Sequence, residues 1–221
     1  LELLAHRAFW AMVFFATILI HKGRLIALVK DLVRSKELFL LGASALMISI
    51  NWFAFIFSIQ NDHAMQASFG YYIFPVVAII FGYLFKGERF SKIQIFAIFC
   101  AVCSLITLGL ALRLLPSIAL IIALSFGAYG LIKSFTKFNS IETVTLETIV
   151  LAPLALGFLF FIYFTQGQEN YIPVWSDLLL LMFSGLITGG PLILFAFATK
   201  NISYATVGIL QYINPTLQFL V

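Results

Sequence analysis

Long apolar runs separated by short connectors make up almost the whole sequence. Each run is long enough to cross the roughly 30 Å hydrocarbon layer of a bilayer as an α-helix, which takes about 20 residues. The runs show no strand-like alternation, and only helices satisfy their own backbone hydrogen bonds in lipid at this length. The sequence therefore predicts eight membrane-spanning helices, at residues 3–21, 37–59, 64–85, 91–111, 115–134, 141–165, 177–199 and 202–221.

The composition supports a membrane protein and argues against other classes. Hydrophobic residues make up 62% of the 221 residues and charged residues 10%, which is more apolar surface than a soluble domain of this length can bury. The predicted fold class is therefore all-α, a polytopic helical membrane protein. No metal-ligand cluster, Gly-rich phosphate loop or nucleophile motif is present, so we expect no enzyme activity, no metal and no cofactor. The net charge of +4 resides in connectors and indicates no nucleic-acid partner.

Lys and Arg are distributed unevenly between the connectors, and this orients the chain because basic loops remain in the cytoplasm. The connectors after the first, third, fifth and seventh spans carry the cations Lys22, Arg24, Lys30, Arg34, Lys36, Lys86, Arg89, Lys92, Lys133, Lys137 and Lys200. The opposite connectors hold Arg113 alone, beside the acids Asp62, Glu169 and Asp177. The basic side is predicted to be cytoplasmic, so the chain begins on the outer side.

Residues 22–36, between the first two spans, form an amphipathic segment. The cations of this segment lie largely off the helical face that carries its apolar side chains, which are Leu25, Leu28, Val29, Leu32 and Val33. Such a pattern predicts an interfacial helix on the membrane surface. A solvated basic loop is the alternative.

An internal repeat with a spacing of 140 residues relates the two halves of the chain. Tyr-Ile-Phe-Pro at 72–75 matches Tyr-Ile-Asn-Pro at 212–215, in the third and eighth spans. Five spans separate the two copies, so the repeats at 1–111 and 115–221 are predicted to have opposite orientations. One further span before the first and one after the last would complete ten, as two sets of five. Inverted repeats are typical of transporters that bind their substrate at the midplane between the repeats.

Several motifs carry a resemblance to one family of membrane proteins. In chain order they are Glu-x-x-x-His-Arg-x-x-Trp at 2–10, Asn-Trp at 51–52, Ala-Ser-x-Gly-Tyr-x-Ile-x-Pro at 67–75, Ser-Phe-Gly-x-Tyr-Gly at 125–130, Glu-Thr at 147–148, Gly-Pro-Leu at 190–192 and Gln-Tyr-Ile-x-Pro-Thr at 211–216. Together they resemble RarD-type permeases of the EamA group, in the drug/metabolite transporter superfamily. The resemblance runs the length of the chain and implies a ten-span permease of the bacterial inner membrane. The chain departs from the family at Phe74, where Asn is common, although Asn214 is present in the second copy.

Polar side chains near the middle of several spans predict a binding site. Pro75 and Pro215 each remove a helical N–H and are expected to interrupt one helix per repeat, which makes them candidate gating positions. The residues predicted to line the substrate site are Asn51, Trp52, Tyr72, Ser125, Tyr129, Gln211, Tyr212 and Asn214. The indole of Trp52 would stack on a planar or cationic solute. Structural kinks and hydrogen bonds between helices are the alternative roles for these groups.

Ionisable groups inside a span are costly and usually face a cavity or a partner. Arg7 and Glu147 occupy equivalent positions in the two repeats and are predicted to serve opposite mouths of a pathway or to couple an ion. The structural alternatives are that Arg7 extends to the interface and pairs with Glu2 or with a residue of the preceding span, and that Glu147 pairs with Lys133. Glu142, at the membrane edge, is expected to be solvated.

These features combine into one functional hypothesis. The chain is predicted to be a secondary-active permease that moves a small metabolite or drug-like solute by alternating access. Its expected partners are the solute, the lipid bilayer and a coupling ion such as a proton, and its fourth span is compatible with a homodimer. The alternative is a non-transporting accessory or sensor protein whose polar groups only join helices.

Overall fold

The structure, a computed structural model, describes residues 2–35, 37–111, 116–166 and 175–213. The described parts are helical apart from short connectors. The helices are α1 (Glu2–His21), α2 (Leu25–Arg34), α3 (Glu37–Gln60), α4 (Ala64–Lys86), α5 (Lys92–Ala111), α6 (Pro116–Phe135), α7 (Ser140–Gln166), α8 (Trp175–Asn201) and α9 (Tyr204–Leu210).

Seven of these helices are long and apolar enough to cross a membrane, namely α1 and α3 to α8. They confirm the predicted fold class, a polytopic helical membrane protein. Their bounds agree with the predicted spans to within two residues, because hydrophobicity and length alone define a spanning helix. Of the eighth predicted span, the structure describes the beginning, which contains α9.

Local sequence signals set the helix ends. Gly87 follows α4 at φ +66°, a left-handed conformation that ends helices at low cost only for glycine. At the start of α7, the Glu142 N–H donates to Asn139 Oδ1 at 2.9 Å and the Asn139 N–H donates to Glu142 Oε2 at 3.1 Å. This reciprocal capping satisfies N–H groups that the first turn of a helix leaves without backbone partners.

The helices pack as two compact units, one comprising 1–45 and 135–197, the other 46–134 and 198–221. Each unit takes segments from both predicted repeats. The division into repeats at 1–111 and 115–221 describes sequence duplication rather than packing, and it stays a prediction.

In the first unit, α2 is anchored by two leucines. Leu28 and Leu32 are buried and pack in one cluster with Leu19, Leu41 and Leu146, from α1, α3 and α7. The segment predicted to be amphipathic is thus helical and has a buried apolar face. Its position on a membrane surface stays a prediction.

Small residues bring α1 and α8 close together in the same unit. A Cβ at Gly185 would lie 2.5 Å from the backbone nitrogen of Ala11, and a Cβ at Gly189 would overlap the ring of Phe15. Two glycines four residues apart leave a groove on α8 that accepts α1, as is common between membrane helices. Without a hydrophobic driving force between helices in lipid, such close packing supplies much of their attraction.

The second unit is built around α4. A Cβ at Gly208 of α9 would lie 2.7 Å from the Ala78 side chain, and a Cβ at Gly127 of α6 would lie 2.6 Å from the Val77 side chain. Helices α6 and α9 therefore both approach α4 where they carry glycine. The stretch of α4 from Phe74 to Ile79 is buried all around the helix.

The predicted interruption of the third span is wrong, because α4 continues through Pro75. A proline is tolerated inside a membrane helix when neighbouring groups compensate for the missing N–H. Pro75 is buried, and its carbonyl lies 3.0 Å from the point where a Cβ at Gly208 would be. Tight packing against α9 thus accompanies the uninterrupted helix.

The close approach of α1 and α8 generates a stability prediction. Gly185→Ala should destabilise the protein by about 1–3 kcal/mol, the usual cost of overpacking, since the new methyl group meets backbone atoms that cannot move aside. Thermal unfolding of the purified protein in detergent measures the effect.

Gly157→Ala in α7 is the matched control, because a Cβ there has no neighbour within 4 Å. It should leave the unfolding midpoint unchanged or raise it slightly, since Ala favours helix over Gly. Equal midpoints for the two variants would contradict the proposed packing.

Candidate functional site

Two predicted site residues meet in the second unit, where α3 lies against α6. Asn51 Nδ2 donates to the Ile122 carbonyl at 2.9 Å and contacts Ser125 Oγ at 3.4 Å. Asn51 is 1% exposed and Ser125 is also buried, whereas the adjoining Trp52 is half-buried. In this conformation the Asn51 amide joins two helices, so it would reach a solute only when that contact opens.

The face of α6 that carries Ser125 continues with Tyr129 and Lys133, at intervals of four residues. Tyr129 and Lys133 are fully buried, and Lys133 Nζ lies 4.7 Å from the centroid of the Tyr129 ring. A desolvated ammonium over an aromatic face is a favourable cation–π contact. The sequence analysis counted Lys133 with the connector cations at the end of the predicted span 115–134; it lies within α6, and its complete burial was not expected. Its spacing from Ser125 and Tyr129 is the signal that indicates the shared face.

Aromatic rings form a cluster beside this polar stripe of Ser125, Tyr129 and Lys133. Tyr71 lies edge-on to Phe55 at 5.8 Å and to Phe126 at 6.3 Å between ring centroids, and Phe74 lies 4.9 Å from Phe126. The predicted Tyr72 is half-buried, but it is its neighbour Tyr71 that belongs to this cluster. Helical rotation decides which of two adjacent tyrosines faces a neighbour, and the sequence alone favours neither.

The chain tightens immediately after α9 ends at Leu210. The backbone N–H groups of Gln211 and Tyr212 donate to carbonyls three residues earlier, at 3.0 and 3.1 Å, in place of the α-helical spacing of four. Both side chains are half-buried. The predicted site residues Asn214 and Pro215 lie outside the described residues.

Tyr212 lines a cavity of about 420 Å³ between α4, α5 and α9. The apolar part of its wall includes Ile79, Ile98 and Ile209, and polar groups come from the connectors and the first turns of α5 and α9. A mostly apolar pocket with a few polar groups is typical of small-molecule sites. Tyr212 is the predicted site residue that lines this cavity.

In the first unit, Arg7 binds α8 through its side chain. Arg7 is half-buried, and its Nε donates to Thr188 Oγ1 at 3.0 Å. The Thr188 hydroxyl in turn donates to the Ser184 carbonyl at 2.7 Å. The guanidinium thus has a hydroxyl partner that the sequence did not indicate.

Glu147 is 3% exposed in the same unit and accepts a hydrogen bond from the Ser44 hydroxyl of α3. Ser44 is itself fully buried. A hydroxyl can donate to a carboxylate and can also accept from a carboxylic acid, so this partner suits both protonation states of Glu147. Lys133, the partner considered for Glu147, belongs to the other unit, and that pairing stays a prediction.

The burial of Glu142 differs from the prediction, which placed this residue in solvent. It is 4% exposed rather than solvated, and its Oε1 lies 3.0 Å from Arg24 Nη2 while Oε2 caps α7. Glu37, also buried, accepts a hydrogen bond from the Lys137 N–H at 3.2 Å. The expectation failed because Arg24, in the connector before α2, pairs with the Glu142 carboxylate, which also caps α7.

Comparison of the sequence with known proteins identifies the family of the chain. The sequence model of the EamA-like transporter family matches residues 1–110. Protein RarD of Salmonella typhi is 38% identical over 220 residues, which cover 99% of this chain and 74% of that protein. RarD of Escherichia coli K12 is 36% identical with the same coverage, and the uncharacterized transporter YojE of Bacillus subtilis is 36% identical over 226 residues, with coverage of 100% and 74%.

The chain belongs to the EamA-like transporter family, among its RarD-type permeases. No solved structure matches it. The resemblance read from the sequence motifs is thereby confirmed, and the names of the relatives indicate a membrane transporter rather than an enzyme. The described part of this transporter therefore contains several candidate site features. They are the Asn51–Ser125 contact, the cavity beside Tyr212 and the buried carboxyl group of Glu147.

The contact between α3 and α6 leads to a testable prediction for this transporter. Asn51→Ala should lower stability by about 0.6 kcal/mol and by at most about 1.7 kcal/mol, the average and the maximum measured for hydrogen bonds between membrane helices, because the Ile122 carbonyl loses its donor from α3. Thermal unfolding in detergent is the measurement.

Asn61→Ala is the control in the same region of the chain. Its amide is exposed and donates at 2.8 Å to the Phe57 carbonyl, four residues earlier, without joining two helices. It should leave the midpoint nearly unchanged. A larger loss for Asn61→Ala than for Asn51→Ala would contradict the role given to Asn51.

Proposed function

We propose that the protein is a secondary-active permease that moves a small metabolite or drug-like solute across the bacterial inner membrane by alternating access. The observation that carries the proposal is family membership: relatives 34–38% identical over nearly the whole chain are RarD proteins or are named transporters, and all come from bacteria. Alternating access is supported by the predicted inverted repeat, since such repeats allow two similar packings of opposite orientation.

The proposed substrate class rests on the apolar and aromatic surroundings of the candidate site residues. The cavity beside Tyr212 has mainly apolar walls, and aromatic rings flank the stripe of Ser125 and Tyr129 on α6. Apolar and aromatic surfaces with few polar groups favour a compact solute with a planar or partly apolar body. Trp52 is the proposed stacking residue beside the Asn51 amide.

The driving force is proposed to be an ion gradient, with the proton as the ion. Glu147 is the candidate proton carrier, because it is buried within a span and its Ser44 partner serves both protonation states. Arg7, held by Thr188, would attract an anionic or zwitterionic solute at the opposite mouth. Besides the solute and the proton, the proposed surroundings are the lipid bilayer and, through the exposed helix α5, a second copy in a homodimer.

One observation favours the alternative of a non-transporting accessory or sensor protein. The Asn51 amide is used to join α3 and α6, as polar groups would be in a protein whose spans only need to associate. The two functions differ in what the Trp52 side chain does. In a permease it contacts the solute, whereas in an accessory protein it contacts only protein and lipid.

Trp52→Ala in the full-length protein should abolish solute exchange while the protein remains folded. We would measure counterflow into proteoliposomes with a mixed panel of amino acids, nucleosides, polyamines and chloramphenicol, read by mass spectrometry. We expect saturable exchange by the parent and an exchange rate more than about tenfold lower in the variant. A tenfold loss corresponds to about 1.4 kcal/mol of binding free energy.

Phe53→Ala is the matched control, because this neighbouring aromatic residue of α3 is 49% exposed on the helix surface. It should exchange solute like the parent. Equal exchange by parent and Trp52→Ala would refute the site assignment. Absence of exchange by the folded parent across the panel would favour the accessory function.

Glu147→Gln separates coupling from binding. The amide keeps the shape and the contact with Ser44 but cannot carry a proton, so uptake driven by a pH gradient should be lost while exchange at equal pH continues. Both fluxes are measured in the same proteoliposomes with and without the gradient. Loss of both fluxes alike from folded protein would argue against Glu147 as the proton carrier.

A further inference from the structure

In the second unit, the end of α4 and the connector that follows it bind the residues on either side of the α8–α9 connector. Glu88 accepts two hydrogen bonds there, at Oε1 from the Tyr204 N–H at 2.5 Å and at Oε2 from the Ala205 N–H at 3.0 Å. Lys86, the last residue of α4, donates from Nζ to the Thr199 carbonyl at 3.3 Å. One short segment therefore holds the chain on both sides of the α8–α9 connector.

Two glycines position the Glu88 carboxylate. Gly87, at φ +66°, turns the chain after α4 so that the Glu88 N–H donates to the Gly82 carbonyl at 3.1 Å. Gly82 supplies the space, since a Cβ there would lie 2.5 Å from Glu88 Oε2. A side chain at Gly82 would displace the carboxylate, and at Gly87 it would strain the turn. The local sequence thus accommodates this contact at both positions.

The segment that Glu88 holds is the beginning of α9. Tyr204 is fully buried, and its hydroxyl donates to the Gly127 carbonyl of α6 at 2.6 Å. Four residues on, Gly208 packs closely on α4. The helix then leads to the tightened turn at Tyr212, beside the cavity. The anchor at Glu88 therefore fixes the helix that positions a predicted substrate residue.

Glu88 also borders the cavity. Ser203 and Ala205 line it as well, so the contact between Glu88 and the start of α9 lies at the cavity. Glu88 is half-buried, so water can solvate its carboxylate when the contact separates, whereas the buried Tyr204 and Ala205 N–H groups become accessible only when α9 moves. Hydrogen bonds exchanged with water have a modest net free energy, which makes this contact reversible.

We propose that Glu88 is a gating latch of the transport cycle. Its carboxylate holds α9 closed against α4, and release of the Tyr204 and Ala205 N–H groups opens this end of the unit. The distribution of basic residues predicts that this end faces the cytoplasm. The proposal rests on the proposed permease function, and Glu88 acts as a positioning residue rather than a substrate ligand.

The test follows the accessibility of α9 in the full-length protein. Cys100 and Cys103, which are exposed on α5, are first replaced by Ala, and Val207→Cys then provides a reporter at a position that is 2% exposed. A membrane-impermeant maleimide is applied to inside-out and right-side-out vesicles. Glu88→Gln should raise the labelling rate in inside-out vesicles about tenfold, the factor that loss of about 1.4 kcal/mol gives, and Glu88→Ala should raise it at least as much.

Asp62→Asn is the matched control, because it neutralises an exposed carboxylate on another connector of the same unit. It should leave labelling at the parent rate. An unchanged rate in both Glu88 variants would overturn the latch. An equal rise in the two vesicle orientations would also overturn it, since general loosening of the fold exposes the reporter from both sides.

Labelling needs no substrate, so the test is independent of the solute exchange assay. Faster labelling from the cytoplasmic side together with no exchange by the parent would leave a mobile latch and refute the permease function. Exchange by the parent with unchanged labelling in the Glu88 variants would keep the permease and refute the latch.

Discussion

Inside a bilayer, a polar group that gives up water must find its partner within the protein, and this constraint shapes the whole structure. The backbone meets it by forming helices of membrane-spanning length. Side chains meet it through contacts between helices, such as Asn51 with the Ile122 carbonyl and Glu147 with Ser44. The buried polar groups of this transporter therefore also hold its helices together.

A second constraint is the distance at which helices pack. Lipid gives helices no hydrophobic reason to associate, so they depend on close contact and hydrogen bonds. Gly185 and Gly189 allow α8 to approach α1 in one unit, and Gly127 and Gly208 allow α6 and α9 to approach α4 in the other. Side chains such as Arg7 and Tyr204 reach their partners because these glycines bring the backbones close.

These two constraints bear on transport. A hydrogen bond between helices has a small net free energy when water or a solute can replace one partner. Contacts such as Asn51 with α6, or Glu88 with the start of α9, stabilise one packing without making it permanent. A protein that alternates between two packings needs contacts of this strength, since much stronger ones would trap one state.

The sequence by itself determined the class of protein, the number and bounds of the described spans and the family. Hydrophobicity and length decide whether a helix spans a membrane, and motifs such as Asn51-Trp52 carry the likeness to RarD-type permeases. The shared face of Ser125 and Tyr129 was also predictable, because helical periodicity fixes it.

The tertiary structure decided which partner each polar group has. Sequence reasoning did not predict that Lys133 lies buried over Tyr129, that Arg24 pairs with a buried Glu142 or that α4 continues through Pro75. Nor did it predict that Glu88 reaches α9, a contact between residues more than a hundred positions apart. Such contacts depend on how closely two helices approach and how each is rotated. The approach and the rotation of each helix are set by packing at a few small residues. The sequence pattern does not specify which residues those small residues will contact.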